Sequence, residues 1–192
     1  MTALIETAFG ARDYLNAGQL LFALSGDPAV QRVRARFRRL ATSPGFWSPA
    51  LVPGLEGVSS VTLTREAGAT RLHFLSRPDL PLQRGGAEAP CSVEITTLEK
   101  GPLVPRWAEA EFEGAVWSAT IRLARQLGAP PGTGRVWRPV AVEGRAELLD
   151  PRTRSGRIRL EHTRDRMGVR LLRVLIDGRE LMELSIVAAD LK

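Results

Sequence analysis

Residues 27–47 read DPAVQRVRARFRRLATSPGFW, with five arginines between Arg32 and Arg39. How this stretch folds decides the N-terminal third of the chain. SGDP stops what precedes it; Asp27 then stands as an N-cap and Pro28 at the first helical position, a favoured start. On helical spacing Val30, Val33, Phe37 and Leu40 share one face. The spacing predicts a helix to about Ala41, ended by SPG, with Arg32, Arg36 and Arg39 along a second stripe and Arg34 and Arg38 on the other flank. Like charges at i and i+4, such as Arg32 and Arg36, repel by ~0.2–0.5 kcal/mol. No acid lies between Asp27 and Glu56 to relieve them. A helix that carries this cost points to an external anion, or to acids from elsewhere: Glu94, Glu99, Glu109, Glu111 and Glu113.

Upstream, a first helix is expected from near Thr2 to Leu24, so that 1–57 is the helical part, closed by a Pro/Gly loop over 42–57. Strand signals follow. VSSVTLTREAGATRLHFL reads as a hairpin turning at EAGA, and PDLPLQRGGAEAP (78–90) as a mobile loop. CSVEITTL alternates as a strand, and so does GRIRLEHT, with Ile158, Leu160 and His162 on one side. Residues 106–127 carry two signals. Phe112, Val116, Ala119, Leu123 and Leu127 form a helical stripe, while AEAEFE alternates; a helix ending at Gly128 is preferred. In VRLLRVLIDGRELMELSIV, Asp177-Gly178 is a two-residue turn that sets Val174 opposite Leu181 and Leu171 opposite Leu184. The core face is then Val169, Leu171, Leu184 and Ile186. The fold class expected is α+β in a single domain, 1–192: a hairpin-rich antiparallel sheet with N-terminal helices and one further helix packed on it.

The single cysteine, Cys91, excludes an internal disulfide and an all-cysteine metal cage. The opening MTALIETAFGARDY lacks the basic start of a targeting signal, and no run approaches the ~18 apolar residues of a spanning helix. A cytoplasmic protein is expected. The formal charge of +6 and pI near 10.8 favour anionic partners.

Motifs for chemistry are thin. APPGTGRV resembles a phosphate-binding loop, but Ala129, Arg135 and Val136 replace the Gly, Lys and Ser/Thr its chemistry needs. There is no GxSxG elbow, and His73 and His162 lack HxH or HExxH spacing. No catalytic residue, metal ligand or cofactor is assigned.

A second basic concentration, DPRTRSGRIR, supplies Arg152, Arg154, Arg157 and Arg159. Arg173 and Arg170 lie diagonal to Glu180 and Glu183 in the hairpin, which makes them structural. Of Trp47, Trp107, Trp117 and Trp137, Trp47 follows the arginines in a Pro-rich loop and suits base stacking. The leading expectation is therefore non-enzymatic, sequence-independent binding of nucleic acid, with single-stranded DNA favoured. Arg32, Arg34, Arg36, Arg39, Arg152, Arg154, Arg157 and Arg159 would hold phosphates and Trp47 would stack. The alternative is an α+β module that binds an apolar small ligand, or a second copy as a homodimer, through its sheet and Trp-rich loops.

Overall fold

The computed structural model describes residues 3–10, 12, 14–100, 105–126 and 135–190. Its framework is one ten-stranded sheet in which every neighbouring pair is antiparallel. In chain order the elements are β1 (Thr7–Phe9), α1 (Ala17–Phe22), β2 (Arg32–Phe37), β3 (Gly45–Ser48), β4 (Glu56–Arg65), β5 (Gly68–Ser76) and β6 (Gln83–Gly86). There follow β7 (Ser92–Lys100), β8 (Pro105–Gly114), α2 (Val116–Gln126), β9 (Arg135–Arg145), β10 (Arg154–Arg166), β11 (Val169–Ile176) and β12 (Arg179–Asp190). The strand order is β3-β5-β4-β2-β9-β12-β11-β10-β8-β7, and β1 and β6 form a separate parallel pair.

The stretch that opened the sequence is not a helix. Asp27 and Pro28 build a single turn, with the Asp27 carboxylate accepting from the Ala29 amide at 3.0 Å. The chain then extends into β2, between β4 and β9. RVRARF alternates at the strand period: Val33, Ala35 and Phe37 are buried and Arg32, Arg34 and Arg36 are exposed. The first helix shrinks likewise to α1, six residues held by a capping box between Asn16 and Gln19. The expected helical N-terminal part is corrected to a short helix among strands.

Residues 106–127 carry both periods because both elements are there, one after the other. In β8, Ala108, Ala110 and Phe112 face inward; in α2, Val116, Ala119 and Leu123 do. Gly114, at φ +144°, joins them, and a Cβ there would lie 2.8 Å from Cys91 Cβ. The α2 helix packs across β7, β8, β9 and β10, and its exposed Arg125 sits in the last turn, where the helix dipole favours a cation. The expected end at Gly128 lies outside the described residues.

The 58–75 hairpin forms as β4 and β5, while part of the expected 78–90 loop pairs as β6 against β1. The C-terminal hairpin turns at Asp177-Gly178, both at positive φ. A bulge between Val174 and Leu175 shifts the rest of its register by one residue. Val174 pairs with Met182 and Leu172 with Leu184, so Leu172 and Val174, not Val169 and Leu171, join Leu184 and Ile186 in the core.

Candidate functional site

The ends of β2, β9, β10, β11 and β12 that carry Arg32, Arg145, Arg154, Ile176 and Arg179 meet at one end of the sheet. There the 25–31 turn, a 3-10 turn at Ala146–Leu149 and the DPRTR loop enclose an open cleft of about 1440 Å³. A recess of about 350 Å³ lies beside it, bounded by Val116 of α2, Ile176, Leu181, Arg145, Glu147, Arg154 and Arg179. Apolar wall is supplied by Val30, Leu149, Leu181 and Met182. Gly144 lets β9 close onto β12 at this wall, since a Cβ there would lie 2.5 Å from the Leu181 carbonyl oxygen.

All the predicted arginines but Arg36 are engaged within the protein. Arg34 pairs with Glu143 at 2.9 Å, directly across the strand pair, and Arg32 reaches the same carboxylate at 3.7 Å. This answers the repulsion problem: the acid arrives from β9, 109 positions downstream of Arg34. Arg39 pairs with Glu56. Arg36 is exposed and has no ion pair among the described residues.

Arg152 and Arg154 both close on Asp150, at 2.7 and 2.8 Å, at the rim of the cleft. The Arg152 guanidinium leads in holding the Asp150 carboxyl well below the usual carboxylate range, with the Arg152 amide and Arg154 adding to it. Arg157 and Arg159 pair with Glu109, and Arg159 also with Glu161, while its guanidinium stacks 4.3 Å above the Trp107 ring. Arg173 pairs with Glu180 as expected, but Arg170 takes Asp165.

Trp47 is wholly buried: its Nε1 donates to the Leu20 carbonyl at 2.8 Å and its ring meets Phe74 edge-on at 5.4 Å. Trp117 is buried as well, against Gly18 and Phe37. Neither can stack on a base.

The two cations left over at the site were missed by sequence reading. Arg145 and Arg179 line the recess without an ion pair among the described residues. Each is a lone arginine, in EGRAE and DGREL, and only the pairing of β9 with β12 brings them together. Glu147 lines both spaces and is likewise unpaired among the described residues. Neither histidine lines the cleft or the recess. Cys91 is buried, and desolvation pushes its thiol pKa up, away from nucleophilic use. Among the described residues no cluster of histidine, cysteine, aspartate and glutamate could hold a metal ion.

The order β8-β10-β11-β12-β9 around α2, continued into a second set of strands beside α1, defines a hotdog-like fold. Comparison with solved structures agrees. A tesB protein from Mycobacterium avium subsp. paratuberculosis superposes with a TM-score of 0.54 at 14% identity, over 97% of this chain and 92% of that one. A structure described as a putative thioesterase II from Thermobifida fusca YX gives 0.45 at 13%, over 93% and 88%. An acyl-CoA thioesterase II TesB2 from Mycobacterium marinum gives 0.46 at 12%, over 92% and 88%. No protein-family model and no curated protein matches the chain. At 14% identity the first of these likenesses establishes the fold and not the activity. The nucleic-acid reading is overturned, because the fold is of another kind, most of the proposed phosphate ligands hold carboxylates of the chain itself, and the proposed stacking ring is core.

Proposed function

We propose that the protein binds a small amphiphilic anion, a molecule with an apolar body and a carboxylate- or phosphate-type head, in the cleft and its recess. The observation that carries this reading is the placing of Arg145 and Arg179 beside Val116, Ile176 and Leu181. The other charges of the recess are already engaged: Arg154 with Asp150, Glu180 with Arg173, and Asp177 with the Arg157 amide. What remains is two cations against the single carboxylate of Glu147. A pocket with apolar walls and a few convergent polar groups is the usual form of a small-molecule site, and guanidinium groups suit planar oxyanions. We take residues 1–192 as one domain in a cytoplasmic setting.

Calorimetric titration with decanoate, decanol and decanoyl-CoA tests the reading; the thioester is chosen because two of the similar folds are described as thioesterases. Decanoate should bind more tightly than decanol, and Arg145→Ala or Arg179→Ala should each weaken it about tenfold, ~1.4 kcal/mol. Equal affinity for acid and alcohol, or indifference to both substitutions, would sink the anion site. Release of free thiol from decanoyl-CoA would turn the reading from a binder to an enzyme.

A further inference from the structure

Val33, Ala35, Val61 and Leu63 turn one face of β2 and β4 into the core. The residues between them project to the opposite face, where the register of adjacent strands sets them in rows. Arg36 pairs with Ser60, Ser60 with His73 and His73 with Ser48, across β2, β4, β5 and β3. In the next row Arg34 pairs with Thr62, and Thr62 with Arg71. Directly paired residues project to the same side of a sheet, so these side chains form one patch. All four strands lie within residues 14–100, which are described without a break.

The patch is rich in donors and empty of free acids. Every side chain in the two rows can donate a hydrogen bond. No acid stands in β3 or β5, and the acid of β4, Glu56, is taken by Arg39. Arg34 is held by Glu143. Arg36 and Arg71 are exposed and have no ion pair or side-chain hydrogen bond among the described residues, and the His73 ring has none either. Ser60 carries the argument furthest. It is only 7% exposed, yet its hydroxyl meets no partner among the described residues. A polar group withdrawn from water to that degree costs free energy unless something bonds it. Unlike the Ser59 hydroxyl, it is not sealed off, so a ligand can reach it.

We infer that this patch binds a small tetrahedral oxyanion, phosphate or a phosphomonoester, seated over Ser60 between Arg36 and His73, with Arg71 reaching in from the next row. Neighbouring strands lie about 4.8 Å apart, so Arg36 and Arg71, one strand to either side of Ser60, are within side-chain reach of a ligand placed there. Guanidinium groups beside a hydroxyl are the charge-assisted donors a phosphate takes. With Arg34 occupied and no indole in the rows, the patch fits one anionic group and not a nucleic-acid strand. None of Arg36, Ser60, His73 and Arg71 lines the cleft or its recess, so the inference does not depend on what the cleft binds.

The chain has two histidines, so the NMR signals of the His73 ring, told from those of His162 by His162→Gln, report the site directly. At fixed pH, inorganic phosphate should move the His73 signals saturably and leave those of His162 in place, while chloride at equal ionic strength moves neither. Arg36→Gln and Arg71→Gln should each weaken phosphate about tenfold and leave decanoate titration unchanged. Arg145→Ala, which alters the recess, should leave the His73 response intact. Ser60→Ala should weaken phosphate without lowering Tm, because that hydroxyl makes no bond within the chain. Glycerol 3-phosphate binding more tightly than inorganic phosphate would mark a monoester as the ligand, and the reverse order free phosphate. No saturable shift at His73, an equal shift with chloride, or indifference to both arginine substitutions would overturn the inference.

Discussion

At Trp47 the indole edge meets Phe74 and the ring nitrogen finds the Leu20 carbonyl, so an aromatic side chain in a Pro-rich loop becomes a link between β3 and α1. Trp47→Phe keeps much of the apolar contact but leaves that carbonyl without its donor. A loss of about 1–3 kcal/mol is expected, read as a lower midpoint in urea unfolding. Asp150 makes the second residue-scale case. Only 14% exposed, it accepts from two guanidinium groups and the Arg152 amide, and its carboxyl pKa is held below the unfolded value. A depressed acid contributes stability above its unfolded pKa of ~3.9 and loses it as pH falls towards the folded value. Asp150→Asn should therefore cost about 2 kcal/mol near neutral pH, and the gap to the native protein should narrow below about pH 4. A gap that stays constant down to acid unfolding would show the pairing to be idle.

At the scale of elements, what could be read from sequence depended on whether one period stood alone. The 58–75 hairpin alternates without a competing helical pattern, and it forms as β4 and β5. In RVRARF, Val33 and Phe37 are four apart, a spacing that a helix face and a strand face share. Ala35 between them was the discriminating residue, and alanine is too weakly apolar to announce itself. Residues 106–127 failed differently: two true signals in series were read as rivals. The Val174 bulge left no mark in the sequence, and a shift of one residue exchanged the faces of half a strand. Gly114 carries the β8-to-α2 connection at a backbone angle that side chains rarely adopt, with Cys91 where a methyl would go. Gly114→Ala should cost more than about 1 kcal/mol and lower Tm. Unchanged stability would mean that β8 and Cys91 can part freely.

For the whole molecule, the positive charge spoke for anionic partners, but it could not say where. Glu143 and Glu56 pair three of the five arginines between Arg32 and Arg39, and Arg36 and Arg38 stay exposed without an ion pair among the described residues. The cations that remain at the candidate site, Arg145 and Arg179, were invisible as a pair because nothing in a linear sequence marks two strand ends as neighbours. The alternative of a small apolar ligand agrees better with the structure than nucleic acid does, though the pocket opens at the strand ends and not at the tryptophans. No helix among the described residues is long and apolar enough to cross a membrane. Hydrogen exchange with and without saturating decanoate tests the central claim most directly, since it locates the ligand rather than merely detecting it. The account predicts added protection in 25–31, 145–154 and 179–182, with the β10–β11 turn unchanged. Protection confined to that turn, or spread evenly over the chain, would contradict a site built on Arg145 and Arg179.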